Sequence, residues 1–329
     1  MGARGNVDIQ TIVLSSETRL AEVLIDSYTL SAERNVAELV ASRIPTDGAE
    51  VKIRVFDPTV TFKTSTREDD VEFPDMAPTR TLTVAPTFKH AGLRMGVSQL
   101  ADMGGEGAAR MEAWGSAVGA AAGSHTSNRA ISILKSNPVA AWDSLNLFGT
   151  THPTGYKGGT FANDFVQANL YTGTLDQANT SLGTVLSKIN SIPTSAGFAT
   201  QFRRLFWLVP SAFEWRARQL TAAQILPASN GTMDNTVNAG YGIQVVVVPE
   251  MGSAFTGTNA DDTTSYICCE PVSGYGGLLL VDREGLTVTF HNPASSAELA
   301  RKNSLEYIAR FRNEVLAGRA SHIHRITAS

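Results

Sequence analysis

Residues 96–135 read GVSQLADMGGEGAARMEAWGSAVGAAAGSHTSNRAISILK. Apolar or small residues recur at Leu100, Met103, Gly107, Met111, Trp114, Val118 and Ala121 or Ala122. Steps of three and four mark one buried face of a single long helix. Ser98 is a suitable N-cap, and Asn137-Pro138 supplies the stop. The expected helix, 98–135, rises about 1.5 Å per residue and spans roughly 57 Å, longer than a compact domain is wide.

Six glycines lie between Gly104 and Gly123. Each costs about 1 kcal/mol against alanine inside a helix. Gly115, Gly119 and Gly123 are four apart and share one face, which predicts a ridge where another backbone packs closely. The alternative is a kink, or two helices broken near Gly104-Gly105. The uncharged run from Ala113 to Asn128 contains His125 and is shorter than the ~20 apolar residues of a membrane span. No membrane role is expected.

The sequence upstream of the helix differs in kind. Val51 to Phe56 alternates apolar and polar residues, as does Thr59 to Phe62. A second extended stretch runs from Thr81 through Val84 and Phe88 to Met95. Between them lie Lys63, the charged group Arg67-Glu68-Asp69-Asp70, and prolines 74 and 78. This predicts a long two-stranded hairpin over 49–95 with a polar tip. A hairpin alone is marginal in water, so one without local partners is mobile or docked on a neighbouring subunit. Residues 1–48 read as an arm that cannot form a core alone.

Downstream, Asp143 to Asn163 is a Gly/Thr/Asn-rich loop. From Thr174 the pattern becomes α/β. Thr174 caps a helix with Leu175, Ala178, Leu182, Val185, Leu186 and Ile189 on one side. Leu205–Val209 and Ile243–Val248 read as buried strands, and Ser211 to Glu214 as a capping box between them. Tyr266–Cys269, Leu278–Val281 and Leu286–Phe290 are further strands. Leu305–Phe311 alternates, and His322–Ile326 closes the chain as a surface strand.

Composition sets the outer limits. The chain has 329 residues, 43% of them hydrophobic and 18% charged. The charged share is below the usual ~25 %. Low charge with 28 glycines suggests surface buried against other chains. A net charge of -4 leaves no basic groove for tight nucleic-acid binding. The two cysteines, Cys268-Cys269, are adjacent and suit core packing. No structural zinc is expected. The N-terminus has no signal-peptide apolar core.

No catalytic constellation stands out. His152 with Asp164 and Ser144 is an imaginable triad, but Ser144 is not on a Gly-x-Ser-x-Gly elbow. His152-Pro153 suits a turn. His322 and His324 would share a strand face, with no carboxylate or cysteine near in sequence. There is no phosphate loop and no dinucleotide fingerprint. The sequence predicts no catalytic residue, cofactor or metal.

The order of arm, hairpin, long helix, Gly-rich loop, α/β insertion and return strands resembles the Hong Kong 97-type fold of tailed-phage major capsid proteins. Leu147-Phe148-Gly149-Thr150-Thr151-His152-Pro153 is similar to a segment of Mu-type major head subunits. Leu208-Val209-Pro210 leading into a helix, and Val246-Val247-Val248-Pro249-Glu250, resemble two further elements of that family. Only one proline stands at 210, and residues 1–48 match nothing in it.

The resemblance implies an α+β shell protein. It implies an N-terminal arm (1–48), an extended loop (49–95), a peripheral domain with its spine helix (96–172), an axial domain (173–280) and a return to the peripheral domain (281–329). Lys63, Arg67, Glu68, Asp69 and Asp70 would make inter-subunit contacts. Partners would be copies of itself in pentamers and hexamers, with scaffold, portal and decoration proteins besides. Contact with packaged DNA would be weak and nonspecific. Rival readings are a nanocompartment shell, a tail or decoration protein, and an α/β hydrolase using Ser144 or Ser211 with His152.

Overall fold

The computed structural model describes residues 20, 22–30, 36–55, 80–97, 105–140, 142–154, 158–194, 199–222, 225–228, 231–235, 242–252, 262–272, 274–291 and 297–328. Strands β1 (Ala41–Pro45), β2 (Val51–Val55), β3 (Arg80–Val84) and β4 (Thr87–Gly96) precede the long helix, Gly105–Ser136. Then come β5 (His152–Pro153), β6 (Thr160–Phe161), β7 (Asp164–Val166), helix Leu175–Asn190, β8 (Phe202–Val209) and helix Glu214–Ala222. The chain continues through β9 (Ile225–Ala228), β10 (Gly231–Asp234), β11 (Ile243–Val247), β12 (Thr264–Pro271), β13 (Leu278–His291), β14 (Ser304–Ala317) and β15 (Ile323–Thr327).

Two sheets carry the architecture. One has the order β1-β13-β14-β4, the other β11-β8-β12-β15-β7. In the second, β8 is a central strand, parallel to β11 and antiparallel to β12. Its residues from Leu205 to Val209 are all buried, as a strand covered on both faces requires. Phe206 and Leu208 point into one core, with Ile131 and Leu134 of the long helix. Leu205, Trp207 and Val209 point into another, with Leu182, Val185 and Ile189 of helix Leu175–Asn190. That helix begins with the capping box expected at Thr174, closed by Gln177.

The long helix is continuous from Gly105 to Ser136, so no break occurs within that span. Ser98, Leu100, Met103 and Gly104 lie outside the described residues. Asn137 ends the helix in the left-handed region, at φ 49, before Pro138. At the other end Met111 is buried with Leu305 and Tyr307 of β14, and Trp114 packs against them.

Four expectations are corrected. The stretch from Thr81 to Met95 is two strands, not one leg of a hairpin. β3 pairs with β2, while β4 leaves it to pair with β14. Pro86, which has no N–H to continue a ladder, stands at the junction. The root of the hairpin also has local partners, because Ile53 and Val84 are buried with Leu279 and Val281 of β13. Ser211 to Glu214 forms no capping box: a 3-10 turn starts there without a side-chain cap, and Glu214 instead accepts from Arg218. Finally, the last strand is internal. β15 lies between β12 and β7, and His322 and His324 are buried.

Candidate functional site

The glycine ridge faces a helix formed by residues 20 and 22–30. A Cβ placed on Gly115 would lie 2.6 Å from Leu20 Cδ1. One on Gly119 would lie 2.4 Å from the Leu24 carbonyl oxygen and 3.1 Å from the Tyr28 nitrogen. Two helix backbones touch here because neither glycine carries a side chain. Gly123 is buried further along the helix. Beyond this helix, Val36 donates its N–H to Ser127 Oγ, so the described residues before β1 contact the long helix at both places.

Lys63, Arg67, Glu68, Asp69 and Asp70 all lie outside the described residues. The hairpin root that carries them is fixed by the β2–β3 register, Val51 opposite Val84 and Arg54 opposite Thr81.

A charged cluster joins the long helix to its sheet. Arg129 Nε donates to Glu314 Oε1 at 3.1 Å, and Thr87 Oγ1 donates to Glu314 Oε2 at 2.8 Å. Lys89 Nζ stands 3.8 Å from the same carboxylate. His125 meets the Phe311 ring edge-on at 5.6 Å. Burial pushes both the Lys89 ammonium and the His125 imidazolium below their ordinary ranges.

The residues of the imagined hydrolase are not brought together. Asp164 is engaged by Arg325 through two hydrogen bonds, 2.9 and 2.6 Å. Ser144 is exposed in a left-handed turn at φ 64. His152 is buried rather than turning at the surface. Its Nδ1 lies 2.6 Å from Asp143 Oδ2, and its ring stacks on Phe161. A Cβ on Gly149 would stand 3.3 Å from His152 Nε2, leaving little room for a substrate. Among the described residues no group of three or more His, Cys, Asp or Glu could hold a metal ion. No described helix is long and apolar enough to cross a membrane.

Sequence reasoning missed Asn163, the organiser of the Gly-rich loop. It is fully buried. Its Nδ2 is placed to donate to Leu147 O (2.7 Å), Ala320 O (3.0 Å) and Ile323 O (3.0 Å), and its Oδ1 accepts from Gly149 N. The only local signal is an Asn-Asp pair in a loop, which reads equally well as an exposed turn.

No protein-family model and no curated protein matches this chain. Solved structures do match its architecture. A virus-like particle from Pyrococcus furiosus matches over 94% of this chain and 98% of that chain, with TM-score 0.52 and 10% identity. The capsid of Cyanophage P-SCSP1u matches over 87% and 86%, with TM-score 0.51 and 9% identity. The capsid of an empty GTA particle matches over 89% and 90%, with TM-score 0.50 and 11% identity.

The chain has the Hong Kong 97-type capsid fold.

At such identities the likeness is one of fold. It separates the chain from the α/β hydrolases, whose chemistry its His152 does not reproduce. On this capsid fold several large apolar side chains are exposed. Ile25 and Leu30 lie on the helix that packs on the glycine ridge, and Trp215 on helix Glu214–Ala222 is 74% accessible. A Trp left this open is an uncommon surface residue and a frequent anchor of protein contacts.

Proposed function

We propose that the chain is a major head subunit that closes with copies of itself into an icosahedral shell around phage double-stranded DNA. The observation that carries this reading is a fold matched over nearly the whole chain by subunits of closed particles. The likeness of Leu147 to Pro153 to Mu-type head subunits supports the phage assignment. In this reading 96–172 and 281–329 form the peripheral domain and 173–280 the axial domain around five-fold and six-fold axes, with β7 and β15 crossing that boundary to complete the axial domain's sheet. The loop tip, with Lys63, Arg67, Glu68, Asp69 and Asp70, reaches a neighbouring subunit. Its root is anchored on β13, where Ile53 and Val84 are buried with Leu279 and Val281. Repetition around closed rings multiplies weak contacts. Contact with the genome is weak, since a net charge of -4 neutralises few phosphates.

A second reading, a nanocompartment shell enclosing protein cargo, is supported by the match to 98% of the virus-like particle subunit from Pyrococcus furiosus. Negative-stain electron microscopy of the overexpressed protein, with a sizing column, tests both. Closed particles, or rings of five or six, are the expected result. A monomer unchanged at high concentration would overturn the shell reading. Nuclease-protected DNA against co-purifying protein inside the particles separates the two contents.

A further inference from the structure

Three imidazoles are buried where the Gly-rich loop meets the second core, and each lies against a phenylalanine. His152 stacks on Phe161 at 5.3 Å, His324 stacks on Phe165 at 6.0 Å, and His322 meets Phe202 edge-on at 5.4 Å. β5 and β6 pair His152 with Phe161 and Pro153 with Thr160. Ala162, just beyond β6, packs on the core that holds Phe165. Residues 149–154 and 158–163 thus form a flap on that core. Its far end is pinned by Asn163, which reaches the carbonyls of Ala320 and Ile323 on either side of His322.

The imidazoles are poorly served where they lie. Among the described residues, neither nitrogen of His324 has a hydrogen-bond partner, nor does His152 Nε2. Every neutral imidazole carries one N–H, so the closed flap leaves a buried donor of His324 unpaired, at a desolvation cost. His322 Nδ1 lies 3.0 Å from Ser321 Oγ. The charged groups around the cluster give it no free carboxylate. Asp143 is engaged by His152, Arg325 holds Asp164, Lys188 lies over the Phe165 ring, and Arg319 acts on His322. β12 sets the apolar Ile267 opposite His324.

We propose that the flap is an acid-released cover: protonation of His322 and His324 lifts β5 and β6 off the core while the two sheets stay folded. A charged imidazole has two N–H donors, and the closed site offers His324 no acceptor. The charges of His322 and His152 oppose that of His324, and Arg319 opposes that of His322. Burial adds the largest share, and holds His322 down to about 4 and His324 to about 3. The charged forms therefore need water, and the flap is the weakest wall between them and solvent. It is held by two residue pairs and Asn163, whereas β15 is clasped on both sides by β12 and β7. Hydrated imidazoles titrate near 6.5. Below that pH the open form binds more protons, so opening gains as pH falls and gains nothing above it. At pH 5 the open population rises roughly 30-fold for each histidine that becomes hydrated.

All these residues belong to one chain, so the device is independent of whether the chain builds a shell.

Hydrogen–deuterium exchange of the purified full-length protein at pH 8 and pH 5, corrected for intrinsic rates, tests this. The flap has protected amides to lose: Thr154 N–H donates to the Gly159 carbonyl, and Asn163 N–H to that of Gly149. Protection over 149–163 should fall by about 30-fold or more at pH 5, while helix Leu175–Asn190 and the spine helix keep theirs. His324→Gln takes up no proton and should shrink the fall by about 30-fold. Unchanged protection over 149–163 would overturn the proposal. So would an equal loss in helix Leu175–Asn190, which identifies general unfolding, or a full-sized fall in His324→Gln. The comparison between segments is made in the unaltered protein, so the test does not depend on the variant folding.

Discussion

Gly119 of the spine helix and Leu24 of the helix beside it meet backbone to backbone, with 2.4 Å between the position of an added Cβ and the Leu24 carbonyl oxygen. That oxygen belongs to main chain and cannot rotate aside. Gly119→Ala should therefore lose more by overlap, about 1–3 kcal/mol, than the roughly 1 kcal/mol it gains in helix propensity. Gly183, in helix Leu175–Asn190, is the control: nothing lies within 4 Å of its added Cβ. Gly183→Ala should raise the melting temperature while Gly119→Ala lowers it. Equal and positive shifts in thermal denaturation would show that the ridge is not a close contact.

Asn163→Ala removes one side chain that serves Leu147, Gly149, Ala320 and Ile323. Buried carbonyls left without donors carry a desolvation cost. We expect a loss of about 3 kcal/mol in urea unfolding. Asn163→Asp should be at least as damaging, because it keeps the acceptor and discards the donors. A loss below about 0.5 kcal/mol, the range of ordinary surface changes, would mean that water replaces those donors.

Acid should weaken the fold through two histidines. Burial lowers the His322 pKa to about 4 and the His324 pKa to about 3. Both are neutral in the folded chain, whereas the unfolded chain protonates them near 6.5. Below that value the unfolded state binds more protons, so stability falls as pH falls. The contribution is complete above pH 6.5 and declines toward pH 4, by up to about 1.4 kcal/mol per pH unit for each histidine. Urea titrations of wild type and His324→Gln should diverge in slope between pH 6 and 4, the variant being flatter. Parallel curves would remove His324 from this account.

Much of this was legible beforehand, and the failures share a cause. The spine helix, the β8 strand and the Thr174 cap all declare themselves within a few residues, by period or by capping chemistry. Burial of His322 and His324 does not, because it is decided by β12 and β7, which the chain supplied more than fifty residues earlier. Asn163 likewise reaches partners about 160 positions away. Leu82, Val84 and Phe88 keep one phase and Leu93 and Met95 take the other, and Pro86 stands where pairing passes from β2 with β3 to β14 with β4. At the candidate assembly surface, sequence reasoning picked out Gly115 and Gly119 by their spacing, but it could not name the helix they meet. Nothing in the sequence around Trp215 marks it as exposed.

Removing residues 64–78 excises the charged loop tip and leaves the β2–β3 root intact. If the tip locks neighbouring subunits, the truncated protein should still form rings of five or six but fail to close. Electron microscopy and sedimentation read this directly. Intact particles from the truncated chain would assign closure to another contact.

Cys268 and Cys269 are adjacent in sequence, yet they face away from each other across one sheet, Cys268 into the core shared with the spine helix and Cys269 into the core under helix Leu175–Asn190. Both thiols are held unreactive by burial. The chain thus carries a natural pair of chemical clocks on opposite sides of a single wall. The order in which an alkylating reagent marks them during unfolding would time the breach of each chamber, with no label added and no residue changed.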